Sequence, residues 1–172
     1  EYTGFNGKRL AQACKIYEKM ILDPECTKYL TLAGAMVPAG MQKIIIDFIN
    51  NGYVDVLVTT GANCTHDICE ALGLGHFQGA VEEEDLHDCD LHEMEINRIY
   101  DVYMPNSVYE AMEKFIQTLD FSNVSSETEI LELIGNALPS ENSFLKAAAK
   151  KKIPVFVPAF TDSGLAMQIK FN

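Results

Sequence analysis

The chain has 172 residues, 48% of them apolar and 22% charged, which suits one domain with its own core. Its formal net charge is −12, which repels nucleic-acid phosphates and favours either a cationic ligand or plain solubility. No apolar run reaches the ~20 residues of a membrane helix, and the five cysteines form no CxxC pair, the usage of a reduced, cytoplasmic protein.

Apolar residues at Leu10, Ala13, Cys14, Tyr17, Met20 and Ile21 predict a helix over 8–21, ended by Asp23-Pro24. Residues 29–33 (Tyr-Leu-Thr-Leu-Ala) read as a short strand, followed by a loop over 34–40. Met41, Ile44, Ile45, Phe48 and Ile49 fall on one face of a helix over 41–50, with Asn51-Gly52 as its stop. The β-branched run 54–59 (Val-Asp-Val-Leu-Val-Thr) predicts a strand running into Thr60-Gly61-Ala62-Asn63, with a helix over 65–72 behind it. Strand, helix, strand, helix in this order implies a parallel sheet. Gly73, Gly75 and Gly79 break the pattern, and the acids from Glu82 to Glu95 predict an exposed acidic insertion over 80–95. Residues 96–104 read as extended, and Ser107 as the N-cap of a helix over 108–119. Helices are predicted over 127–138 and 143–151, the latter with Lys150, Lys151 and Lys152 at its C-terminal end. The segment 153–160 is a third strand, whose prolines limit its pairing. All of 1–172 reads as a single domain.

Three small-residue loops each follow a predicted strand: Gly34-Ala35, Thr60-Gly61-Ala62 and Asp162-Ser163-Gly164. Ligands of parallel α/β sheets sit outside the carboxyl ends of the strands, and a helix N-terminus after Asn63 could hold phosphate. The same glycines also serve as ordinary turn residues, and no GxGxxG is present. Asp162 suits either a ribose contact or an Asx-turn. His66, beside Asp67 at a helix start, suits either a general base or a structural role. His87, Asp88, Cys89, Asp90 and His92 are ligand types without the spacing of a standard metal site, so no metal is assigned. No GxSxG elbow surrounds Ser107, Ser125 or Ser126.

Four separated motifs, in order, resemble the deoxyhypusine synthase family. They are Thr3-Gly4-Phe5 before a helix; Tyr53 to Gly61; Ile96 to Ile99 with Met104-Pro105-Asn106 and Tyr109; and Ile153 to Phe156 with Pro158-Ala159 and Thr161-Asp162. The stretch 32–40 (Leu-Ala-Gly-Ala-Met-Val-Pro-Ala-Gly) and Thr60-Gly61-Ala62-Asn63 look more like the family's bacterial and archaeal "deoxyhypusine synthase-like" branch.

The resemblance implies a Rossmann-like parallel sheet flanked by helices, NAD as cofactor, and a homotetramer with sites at a dimer interface. It implies oxidation of spermidine and transfer of its aminobutyl group, through an enzyme lysine imine, to a translation-factor lysine or a free amine. Its cofactor loops carry over to Gly34, Ala35 and Met36, to Thr60, Gly61 and Ala62, and to Asp162. Thr65 and His66 stand where the family has paired polyamine-binding glutamates, and Met167 where it has an aspartate. The Gly34 loop replaces a Ser-Asn pair. The resemblance places the catalytic lysine beyond Asn172, so no catalytic residue is assigned in this chain; Lys150, Lys151 and Lys152 are solvated candidates with no burial to activate them. Two other readings stay open: an inactive regulatory or scaffold paralogue that assembles with an active subunit, and an NAD-binding domain with another substrate.

Overall fold

The computed structural model describes residues 4–79 and 87–171. In chain order the elements are α1 (Phe5–Leu22), β1 (Tyr29–Thr31), α2 (Gln42–Asn50), β2 (Val56–Val58), α3 (Gly61–Ala71), β3 (Phe77–Gln78) and α4 (Asp88–Glu93). They continue with β4 (Ile96–Ile99), β5 (Val102–Pro105), α5 (Ser107–Ile116), α6 (Glu127–Ala137), α7 (Phe144–Lys151), β6 (Val155–Phe156) and α8 (Gly164–Phe171). The main sheet has the order β1-β2-β6 with both pairs parallel; Leu57 at its centre pairs with Leu30 on one side and Val155 on the other. A second, antiparallel sheet, β3-β5-β4, branches off between α3 and α5.

The core forms where apolar faces of the helices meet the main sheet. Leu57, Ile49, Cys64, Ile68, Ile134 and Phe144 are wholly buried in it. Each such side chain contributes roughly 1.5–3 kcal/mol by leaving water. Helix α7 packs on both α2 and α6, while α8 packs on α3 and α5. Gly135 is what lets α6 and α7 meet, since a Cβ there would lie 2.4 Å from the Leu145 carbonyl oxygen. Helix α1 buries no residue; Tyr17 helps tie it down, donating its hydroxyl to the Tyr53 carbonyl at 2.5 Å and stacking on Phe48.

Several expectations are corrected. Helix α3 starts at Gly61 rather than 65, because Thr60 caps it: its Oγ1 accepts from the Asn63 N–H at 3.3 Å. The expected strand over 153–160 shrinks to two residues between Pro154 and Pro158, which have no N–H to give a ladder. Residues 96–104 fold as a hairpin rather than one extended segment. Ser107 is the first helical residue rather than the N-cap; Asn106 holds that position and makes no side-chain cap bond. Of the expected acidic insertion, 80–86 lie outside the described residues, and 88–93 form α4. Leu91 anchors that helix at 2% exposure, and Asp88 pairs with Arg98 at 2.8 Å. The third expected turn, at Asp162-Ser163-Gly164, opens directly into α8.

Candidate functional site

The carboxyl ends of β1, β2 and β6 open into one cleft of ≈690 Å³. Gly34 and Ala35 line it after β1, Thr60, Gly61 and Ala62 after β2, and Pro158, Ala159 and Asp162 after β6. Its size lies in the range of sites for small ligands and cofactors. Polar side chains lock the loops together. Thr60 donates its hydroxyl to the Gly34 carbonyl at 3.0 Å, so the cap of α3 also holds the β1 loop. Asn63 is wholly buried; its Oδ1 accepts from the Val37 N–H at 3.2 Å and its Nδ2 donates to Thr59 Oγ1 at 3.1 Å. Gly61 admits the β6 loop: a Cβ there would lie 2.3 Å from Ser163 Cβ. Ser163 in turn donates to the Phe160 carbonyl at 2.7 Å and accepts from the Ala166 N–H, which fixes the start of α8.

The N–H groups of Gly61 and Ala62 open α3 and have no acceptor within the helix. Both residues line the cleft, and the amide groups that open a helix suit phosphate oxygens. Asp162 is exposed and lines both this cleft and a second cavity of ≈360 Å³, which it shares with Ala62, Thr65, His66, Tyr109 and Met167.

A chain of titratable groups reaches that second cavity. Glu70 Oε1 lies 2.6 Å from His76 Nδ1 and also accepts the His76 N–H at 3.1 Å; His76 Nε2 lies 2.8 Å from His66 Nδ1. The imidazole of His66 is held down at about 4, first by burial and then by the neighbouring His76, with Glu70 pulling the other way. It is therefore neutral at pH 7. Asp67, the next residue, serves packing: it is wholly buried and accepts from Gln42, from the Ser143 hydroxyl and from the N–H groups of Phe144 and Leu145 at 2.6–3.1 Å. Burial raises its carboxyl to about 6 against the pull of those four bonds.

Of the residues singled out in the sequence, the structure brings Gly34, Ala35, Thr60, Gly61, Ala62 and Asp162 to the first cleft. Met36 is not among its lining residues; its side chain packs on the main core. Thr65 and His66 line the second cavity. The Thr65 hydroxyl is engaged within the protein, donating to the Gly61 carbonyl at 3.0 Å and accepting from the Leu165 N–H at 3.1 Å. Among the described residues no lysine lines either cavity; Lys150 pairs with Glu141 at the surface. Among the described residues, no three His, Cys, Asp or Glu side chains gather as a metal site. All five cysteines are unpaired, and burial raises the thiols of Cys64 and Cys69. No described helix is long and apolar enough to cross a membrane.

The sequence reading missed His76 and Glu70, and named Tyr109 only within a motif, with no place at the site. His66 and Glu70 are four residues apart on α3, which places them on one helix face, and that spacing was visible. His76 lies beyond the Gly73 turn, and only the fold brings it back.

The family model for deoxyhypusine synthase matches residues 1–172. The chain is 44% identical over 177 residues to probable deoxyhypusine synthase 1 of Methanosarcina mazei, covering 98% of this chain and 54% of that protein. It is 43% identical to probable deoxyhypusine synthase 1 of Archaeoglobus fulgidus, covering 97% of the chain and 56% of that protein. It is 37% identical to the deoxyhypusine synthase-like protein of Elusimicrobium minutum, covering 92% and 44%. The chain thus spans about half the length of the curated relatives it matches. Its fold superposes on the crystal structure of a provisionally named deoxyhypusine synthase from Entamoeba histolytica with a TM-score of 0.68 at 19% identity, covering 99% of this chain and 61% of that one. The parallel α/β sheet, the family model over the whole chain and the curated relatives agree: the chain belongs to the deoxyhypusine synthase family.

Proposed function

We propose that the intact protein is an NAD-dependent aminobutyl transferase, moving the aminobutyl group of spermidine to a lysine or a free amine. The observation that carries this reading is the first cleft, where three loops locked to one another present small residues, the amide groups opening α3 and the Asp162 carboxylate at one sheet edge. The donor set fits a dinucleotide: Gly61 and Ala62 N–H groups for phosphate oxygens, and Asp162 for ribose hydroxyls. Gly34, Ala35 and Ala159 let a planar ring approach the backbone. When bound, NAD supplies the hydride acceptor that turns an amine C–N bond into an imine open to exchange with a second amine. Asp162, shared by both cavities, orients the two ligands toward each other, and the second cavity takes the amine. A cytoplasmic homotetramer belongs to the same reading, as does a catalytic lysine supplied from outside these residues.

The test is to incubate the full-length protein with NAD and spermidine labelled in its butyl carbons. Label should move to an amine acceptor with release of 1,3-diaminopropane, and omission of NAD should abolish it. One observation favours a second reading, an inactive scaffold paralogue: Thr65 and His66 bring no carboxylate to the second cavity, and a diammonium ligand needs carboxylates to offset its desolvation. Binding of NAD with neither spermidine binding nor label transfer would support that reading instead.

A further inference from the structure

Glu70, His76 and His66 are linked in a line, and the line has a direction. An ionised carboxylate only accepts hydrogen bonds, so at 2.6 Å the His76 Nδ1 must be the donor. When His76 carries its proton on Nδ1 alone, its Nε2 is an acceptor, and the group 2.8 Å away, His66 Nδ1, supplies the proton of that bond. A neutral His66 with its proton on Nδ1 leaves Nε2 bare. That nitrogen is the one available to the second cavity, which His66 lines. At the other end, His76 borders a separate cavity of ≈410 Å³ with Pro38, Gly40 and Asp101, and the Glu70 side chain is 25% exposed. The line therefore runs from a ligand cavity to solvent.

We propose that Glu70, His76 and His66 form a proton relay that presents an unprotonated nitrogen to an amine in the second cavity and carries that amine's proton to water. This rests on the reading of the second cavity as the amine site. The proton leaves the amine N–H for His66 Nε2 while the His66 Nδ1 proton passes to His76 Nε2. The His76 Nδ1 proton passes to Glu70, which releases it to solvent; no electron pair leaves the nitrogen and the charges balance. The relay is needed because an aliphatic ammonium, with a pKa of about 10, can neither lose hydride from its α-carbon nor attack an imine until it is neutral. His66 would touch the substrate, and His76 and Glu70 are positioning residues. The other ionisable groups beside this line are Tyr109 from α5, Asp162 before α8, Asp101 beyond His76 and Cys69 on α3, whose thiol is raised by burial and by Glu70.

The test is nitrogen-15 NMR of the histidine rings in the full-length protein at neutral pH, with His66 assigned from the His66→Gln spectrum and spermidine as the probe. The expected result is a His66 ring protonated on Nδ1 alone, an Nε2 resonance that moves when spermidine is added, and loss of the tautomer preference in Glu70→Gln. A wild-type His66 protonated on Nε2, or a tautomer indifferent to Glu70→Gln, overturns the relay. In the transfer assay, Glu70→Gln should lower kcat about tenfold or more at neutral pH, with recovery at high pH and the KM for NAD unchanged. Transfer with an unaltered pH profile in Glu70→Gln sinks the relay and leaves the proposed function standing. The expected tautomers and spermidine shift without any transfer leave the relay standing and sink the proposed function.

Discussion

His66 and Asp67 are neighbours on α3 and respond to pH in opposite senses. His66 is held near 4 against an ordinary 6.5, so the unfolded chain takes up the proton first as the solution is acidified. The stability this contributes is complete above pH 6.5 and is lost as pH falls toward 4. Asp67 is raised to about 6 from 3.8, so its contribution is complete below pH 3.8 and is lost as pH rises through 6. Between these limits the two partly cancel. His66→Gln should therefore become more stable, relative to wild type, as pH drops from 6.5 to 4, read from urea midpoints at each pH. An identical pH dependence in the two proteins would contradict the assignment. Gly61→Ala tests the close approach of two loops: its methyl must displace Ser163, and with it Asp162. It should destabilise by about 1–3 kcal/mol and weaken NAD binding more than Gly52→Ala, where nothing lies within 4 Å of a new Cβ but the backbone is strained at φ +72°.

At the scale of elements, α6 and α7 pack closely because Gly135 has no side chain, and the neighbour across the gap is backbone, which cannot rotate away. Gly135→Ala should cost about 1–3 kcal/mol and move the denaturation midpoint without changing the slope. Asp67 joins α3 to α7 by meeting the first N–H groups of α7 together with Ser143, the cap whose Oγ accepts the Lys146 N–H. Asp67→Asn turns an NH₂ toward those donors and should cost about 1–3 kcal/mol. The long periodic segments, such as 41–50 and 127–138, were legible in the sequence because their apolar residues alone specify a helix. The start of α3 was not, because the Thr60 cap competes with the β-branched run before it. Two-residue β3 and β6 carry too few residues for a period, and α4 was hidden among acids whose one apolar anchor is Leu91. The first cleft was legible for the opposite reason: a parallel sheet places every strand end on one edge, so three small-residue loops had to converge. The relay was not, because it depends on the Gly73 turn returning His76 to α3.

The whole molecule combines a cleft at the carboxyl ends of the parallel strands with a second cavity whose lining, among the described residues, has no lysine and one carboxylate, Asp162. The first cleft follows from topology and from ties such as the buried Asn63 and the Thr60–Gly34 bond, so it is the more constrained of the two. Thr60→Ala removes a helix cap, at about 0.5–2 kcal/mol, and also the tether to Gly34; it should lower NAD affinity as well as the midpoint. If this cleft holds NAD, titration calorimetry of the full-length protein with NAD, beside Asp162→Ala, reads that binding out. Saturable binding by the wild type, weakened about tenfold or more by Asp162→Ala, is the predicted result; no NAD binding by the intact wild-type protein would contradict the account.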